Sequence, residues 1–174
     1  MKWGHRKLLG WIFLLATVAG PAVAQDDQSD RLYEFMARPL GFGLIQPLAK
    51  LRKIGPLRSE KIAGQSTNRY NADKIDEARI LTFDGLVIHV TFPEKNYRRG
   101  LVTEINVTKA KWRMAHGIRV GSKKSDVTAA LGEGKGESEH GFPGEVKYCE
   151  DKVCGTLVFR DERVHEILIE MTPE

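Results

Sequence analysis

The chain has 174 residues, of which 29% are charged and 8% aromatic, an ordinary globular composition suited to one domain or two small half-domains sharing a core. Its formal charge of +4 falls to +1 once residues 1–24, with three basic residues and no acid, are set aside. A chain so close to neutral argues against nucleic acid as a partner.

The first stretch, MKWGHRKLLGWIFLLATVAGPAVAQ, carries a basic start, an apolar run over residues 8–19 and the small-residue site Ala22-Val23-Ala24. This is the layout of a secretory signal peptide, and it predicts cleavage before Gln25 and a periplasmic or secreted product. An uncleaved membrane anchor is the alternative. No cysteine lies near the cleavage site to take a lipid, and no later segment approaches the roughly 18 apolar residues of a membrane helix, so no stable membrane insertion is expected after cleavage.

Leu32, Phe35 and Met36 follow helical spacing, with Asp30 placed to cap or to complement the first turn. Pro39 and Gly41 interrupt the pattern; Leu44, Leu48 and Leu51 resume it, and Gly55-Pro56 ends a second helix. Residues 57–76 are polar and poorly periodic, which predicts a long connection with a short strand near Tyr70. Residues 79–83, the Asp84-Gly85 dipeptide and residues 86–92 then read as strand, tight turn and strand, with Leu86, Ile88, Val90 and Phe92 on one face. A basic loop at 94–100 precedes a further strand at 101–108.

The second half begins with GSKKSDVTAALG, a helix capped by Ser122 or Ser125, striped by Val127, Ala130 and Leu131, and ended by Gly132. A loop rich in Gly and Glu follows. Strands are expected at 146–149, 155–160 and 163–171, the last with His165, Ile167, Ile169 and Met171 alternating. A helix ending in Gly, a loop, then strand, strand, turn and strand thus occurs twice. The expected fold is α+β: two tandem helix-plus-antiparallel-hairpin repeats, at 25–110 and 111–174, with helices packed on an antiparallel sheet as one compact unit.

Cys149 and Cys154 are the only cysteines, with Glu150-Asp151-Lys152-Val153 between them. In an exported chain this pair reads first as a disulfide across a hairpin, ahead of a metal or redox site, which would need further ligands or tighter spacing. The charge is also polarised. Residues 25–125 carry 19 Lys/Arg against 11 Asp/Glu, and residues 126–174 carry 5 against 12. Either the surface steers a charged partner or the halves neutralise each other across their contact.

The run IRVGSKKSDVTAALG, the cysteine pair and LVFRDERVHEI together resemble one repeat of the β-lactamase-inhibitor-protein-like fold, which includes the small outer-membrane lipoproteins of the barrel-assembly machinery. Gly121, Val127, Leu131, Gly132, Phe159, Asp161 and Val164 occupy the pattern positions. Glu162 replaces the expected turn glycine, and the lipid-bearing cysteine of the lipoproteins is absent. The resemblance implies a fold and, by analogy, a protein partner; it transfers no catalytic residue.

Catalytic patterns are scarce. His89 and His165 fall inside strands, where a hydrogen-bonded structural histidine is the first reading; His116 and His140 lie in connections without a required partner. There is no GxSxG, HExxH or Walker pattern, and no metal or cofactor is expected. Recognition residues stand out more. Tyr97, Arg98 and Arg99 in the basic loop, Trp112 and Arg113 in the connector, and Phe142 in the later loop are candidate partner-binding positions, since aromatics and arginine dominate interface hot spots. Trp112 reads equally as a plug between the repeats. The expected function is an exported, non-catalytic protein-binding module, including an inhibitor or immunity-type protein against an envelope or secreted enzyme. A cell-envelope assembly or structural factor is the alternative, and a hydrolase comes third.

Overall fold

The computed structural model describes residues 22–134 and 144–171. Its centre is one antiparallel sheet of eight strands: β1 (Ile45–Gln46), β2 (Leu57–Asn68), β3 (Asn71–Phe83), β4 (Leu86–Phe92), β5 (Gly100–Val107), β6 (Glu145–Glu150), β7 (Val153–Arg160) and β8 (Arg163–Met171). The spatial order is β2-β3-β4-β5-β8-β7-β6, with β1 added to the start of β5. Among the described residues three α-helices accompany it: α1 (Ala22–Ala37), α2 (Leu48–Leu51) and α3 (Lys124–Leu131).

This corrects the expectation of two tandem helix-plus-hairpin repeats. Strand far outweighs helix among the described residues, and the two halves join edge to edge through β5 and β8 in one continuous sheet. Isoleucines explain the join. Ile105 lies opposite Ile169, both buried, so the seam between the halves is an apolar ladder within the main core.

The core lies on one sheet face. Leu81, Phe83, Leu86, Ile88, Val90, Phe92, Ile105, Leu157 and Ile167 are buried there beneath Phe35 and Met36 of α1, Leu48 and Leu51 of α2, and Val127 and Leu131 of α3. Strict alternation along β4 puts all four of its expected apolar residues inward. In β7, Gly155 makes room for α1: a β-carbon there would stand 2.9 Å from the terminal methyl of Met36. Among the described residues no helix is long and apolar enough to cross a membrane.

Several local expectations change. The first helix is described over Ala22–Ala37, and Asp30 is interior to it instead of capping it. The second helix shrinks to one turn. Pro47 restricts Gln46 to extended backbone, and residues 45–46 pair with β5 instead. Neither Ser122 nor Ser125 caps α3; Lys123 holds that position without a side-chain bond, and Ser122 Oγ accepts the Arg119 N–H at 3.1 Å. In β8 the simple alternation breaks. Val158 pairs with Glu166 and Phe159 with Val164, so His165 is an unpaired, exposed extra residue and the buried positions become Val164, Ile167 and Ile169.

The largest difference lies at 57–76. These residues form two long strands instead of a connection. Pairing between β3 and β4 stops at Glu77–Phe92, whereas β2 and β3 stay paired out to Asn68–Asn71. The result is a two-stranded arm extending roughly 20 Å past the sheet. Extra residues at Arg58 and Ala63 interrupt β2, and near the tip β3 carries the extra residues 72–74 opposite Thr67–Asn68.

Candidate functional site

Antiparallel register sorts the loops between two ends of the sheet. The turns at 84–85 and 161–162 lie at one end. The arm tip at 69–70, the loop 93–99 and the β6–β7 turn lie at the other.

The arm end is built on a buried charge network. Glu77, only 2% exposed, accepts hydrogen bonds from Arg79 Nε at 2.6 Å, Gln65 Nε2 at 2.9 Å and the Tyr97 hydroxyl at 3.1 Å. Burial pushes its carboxyl up, but the bonds from Arg79, Gln65 and Tyr97 outweigh burial and hold it below the usual carboxylate range. Arg79 also pairs with Glu60, which takes a two-pronged contact from Arg52 at 2.7 and 2.8 Å. The Arg52 hydrogen bond leads the effects that hold the Glu60 carboxyl low. The Arg79 guanidinium lies 5.0 Å above the Tyr97 ring, whose edge meets Phe92 at 5.3 Å.

These contacts seat the 93–99 loop against the root of the arm. A second tie is the Glu94 amide, which donates to Asp76 Oδ1 at 2.8 Å. The tip is shaped by asparagines: Asn68 Oδ1 accepts the Tyr70 N–H at 3.0 Å, and Asn71 Oδ1 the Asp73 N–H at 3.2 Å. Tyr70 is left 90% exposed.

Beside the loop lies a largely apolar groove of about 460 Å³, lined by Tyr33, Met36, Leu44, Ile45, Val153 and Met171 among others and rimmed by Glu150 and Asp151. Among the described residues the large hydrophobic side chains left exposed are Tyr33, Ile45, Ile62, Tyr70, Ile75 and Tyr97. Five of them belong to the groove, the arm or the loop at this one end, and Ile62 lies on β2 beside the body of the sheet, opposite Arg79.

The sequence candidates therefore separate. Tyr97, Arg98 and Arg99 share the arm end, with both arginines exposed. Trp112 and Arg113 sit at the opposite end. Trp112 is half-buried: its Nε1 donates to the Asp84 carbonyl at 2.8 Å, its ring meets Phe83 edge-on at 6.0 Å, and Gly55 lies against it. It is a packing element there, whereas Arg113 is exposed. Phe142 and His140 lie outside the described residues. Cys149 and Cys154 are bonded, with Cα atoms 4.1 Å apart in directly opposed positions of β6 and β7.

Among the described residues the histidines form no common site. His89 Nδ1 stands 3.6 Å from Glu104, His116 Nε2 lies 3.0 Å from the Arg31 carbonyl and 3.3 Å from Glu34, and His165 is exposed in the bulge. Among the described residues no group of three or more His, Cys, Asp or Glu side chains is arranged to hold a metal.

Sequence reasoning missed the arm and the groove. Tyr70 between Asn68 and Asn71 was the available signal for the tip; the groove joins residues from five separate segments and leaves no local mark. Comparison with protein-family models, curated proteins and solved structures finds no significant match.

Proposed function

We propose that this chain is an exported, non-catalytic protein-binding module that takes its partner at the arm end of the sheet. The observation that carries this reading is the gathering of Tyr33, Ile45, Tyr70, Ile75 and Tyr97, all exposed, at the end of the sheet that holds the groove, the loop and the projecting ribbon. Exposed apolar surface concentrated in this way marks an interaction site more often than scattered single residues do. A two-stranded ribbon is marginal on its own, and here the Glu77 network stabilises its root. Rigid tyrosines with adaptable asparagine and arginine neighbours suit protein recognition.

Lys95, Arg98 and Arg99 are exposed on the loop and favour a partner with an acidic rim. Export is supported by the basic-apolar-small leader pattern and by the disulfide, which persists in an oxidising compartment. The resemblance carried by residues 118–167 points to the same class of function, with an inhibitor or immunity role against an envelope or secreted enzyme as its sharpest form.

The test is affinity capture from periplasmic extract at low salt, comparing the mature protein with Tyr70→Ala and with Arg98→Ala/Arg99→Ala. One retained protein, lost with both arm-end variants but kept by Arg113→Ala at the opposite end, is the expected result. Retention unchanged in the arm-end variants, or no retained protein, overturns the proposal. Co-fractionation with membranes without a soluble partner would favour the envelope-assembly reading.

A further inference from the structure

At the end of the sheet away from the arm, a second cavity of about 370 Å³ opens between the segment 116–126 and the start of β8. Four of its lining side chains are basic: His116, Arg119, Lys123 and Arg163. Asp126 is the one acid in the lining. Among the described residues Arg119, Lys123 and Arg163 have no carboxylate within ion-pair distance, and only His116 has one, Glu34 at 3.3 Å. Asp84, by contrast, draws three cations together, Arg58, Lys109 and Lys111.

The backbone holds these cations together against their repulsion. Gly121 donates its N–H to the Val164 carbonyl at 2.7 Å, Val164 donates to Ser122 at 2.9 Å, and Lys124 donates to Glu162 at 2.9 Å. Lys123 bridges to Arg163 as an isolated antiparallel pair. Arg163 Nη1 donates to the Gly121 carbonyl at 2.9 Å, which fixes the guanidinium at the cavity wall. Like charges fixed around one concavity raise the local potential for an anion. Guanidinium groups supply forked donors that match a tetrahedral oxyanion, and Lys123 supplies a point charge beside them. The volume falls within the range of small-molecule sites.

We propose that this cavity binds the phosphate group of an anionic ligand, held by Arg119, Lys123 and Arg163. The site lies at the opposite end from the partner surface and stands or falls independently of it. A phosphorylated small molecule and a phospholipid headgroup share this chemistry.

The experiment titrates the mature protein, in phosphate-free buffer at low ionic strength, with inorganic phosphate while amide and arginine side-chain NMR signals are recorded. Sodium chloride at matched ionic strength is the control. Saturable shifts confined to residues 119–124 and 163, absent with chloride and weakened about tenfold or more in Arg119→Ala/Lys123→Ala, are expected. Both replaced side chains are exposed, and an unchanged melting temperature verifies that the variant is folded. In parallel, sedimentation with vesicles of phosphatidylglycerol or of phosphatidylcholine distinguishes the sources. Charge-selective co-sedimentation lost in the double variant assigns the headgroup; soluble phosphate binding without it assigns a small molecule. Equal responses to phosphate and chloride, or phosphate shifts unchanged in the double variant, with no variant-sensitive vesicle binding, overturn the proposal.

Discussion

The Tyr97 hydroxyl donates to the buried Glu77 carboxylate at 3.1 Å, so the loop that carries Arg98 and Arg99 is clamped to the root of the arm. Tyr97→Phe removes one of three donors to that carboxylate and is expected to cost about 1 kcal/mol of stability by urea titration. Hydrogen exchange in residues 65–77 should accelerate more than exchange in β7. Uniform acceleration across the sheet would show that the bond is not specific to the arm.

Asp84 sets an acid limit. Hydrogen bonds from Lys109 and Lys111 and the nearby Arg58 hold its carboxyl down to about 2. Because the folded value lies below the unfolded one, near 4, the unfolded chain binds the extra proton. The associated stability is complete above about pH 4 and disappears as pH falls toward 2. Asp84→Asn should therefore destabilise the protein at neutral pH and flatten the loss of stability between pH 4 and 2. A pH profile identical to wild type in that window contradicts the assignment.

The Cys149–Cys154 bridge closes a short loop, for which chain entropy predicts about 2 kcal/mol. Cys149→Ser/Cys154→Ser should lower the urea midpoint accordingly while circular dichroism retains the sheet signal. Thiol titration of the unreduced wild type should find no free thiol.

Gly55 and Trp112 should be energetically coupled. A β-carbon at Gly55 would stand 2.7 Å from Trp112 Cη2, so Gly55→Ala is expected to cost about 1–3 kcal/mol through overpacking. In a Trp112→Ala background the same change should cost much less, and a double-mutant cycle measures the difference. Trp112→Phe removes both the bond to the Asp84 carbonyl and the ring atoms packed on Gly55, and should cost more than the about 1 kcal/mol of the bond alone.

Legibility in the sequence followed one-sided burial. The strand pattern of Leu86–Phe92 was readable because one face meets the core and the other does not, and the Asp84-Gly85 turn sits where the dipeptide indicated. Along Leu57–Asn68 most side chains are solvent-exposed on both faces, so no apolar alternation survives to announce a strand. The repeat inference failed for a different reason. Local similarity between two helix-and-hairpin segments does not specify whether their sheets stack or merge, and the decision rests on long-range pairs such as Ile105–Ile169. Tyr97 was visible as a recognition residue by type. Its coupling to Glu77, twenty residues earlier, required the register of the arm.

The broken register of β2 also bears on self-association. A straight outer strand of twelve residues would offer a neighbouring molecule an uninterrupted rail of amides and carbonyls for fibril-like growth. Two bulges along its length, at Arg58 and Ala63, with charged Glu60 and Lys61 between them, leave only short segments in phase for an incoming strand. Concentrated solutions should therefore remain free of cross-β aggregates even though this flank of the molecule is uncovered.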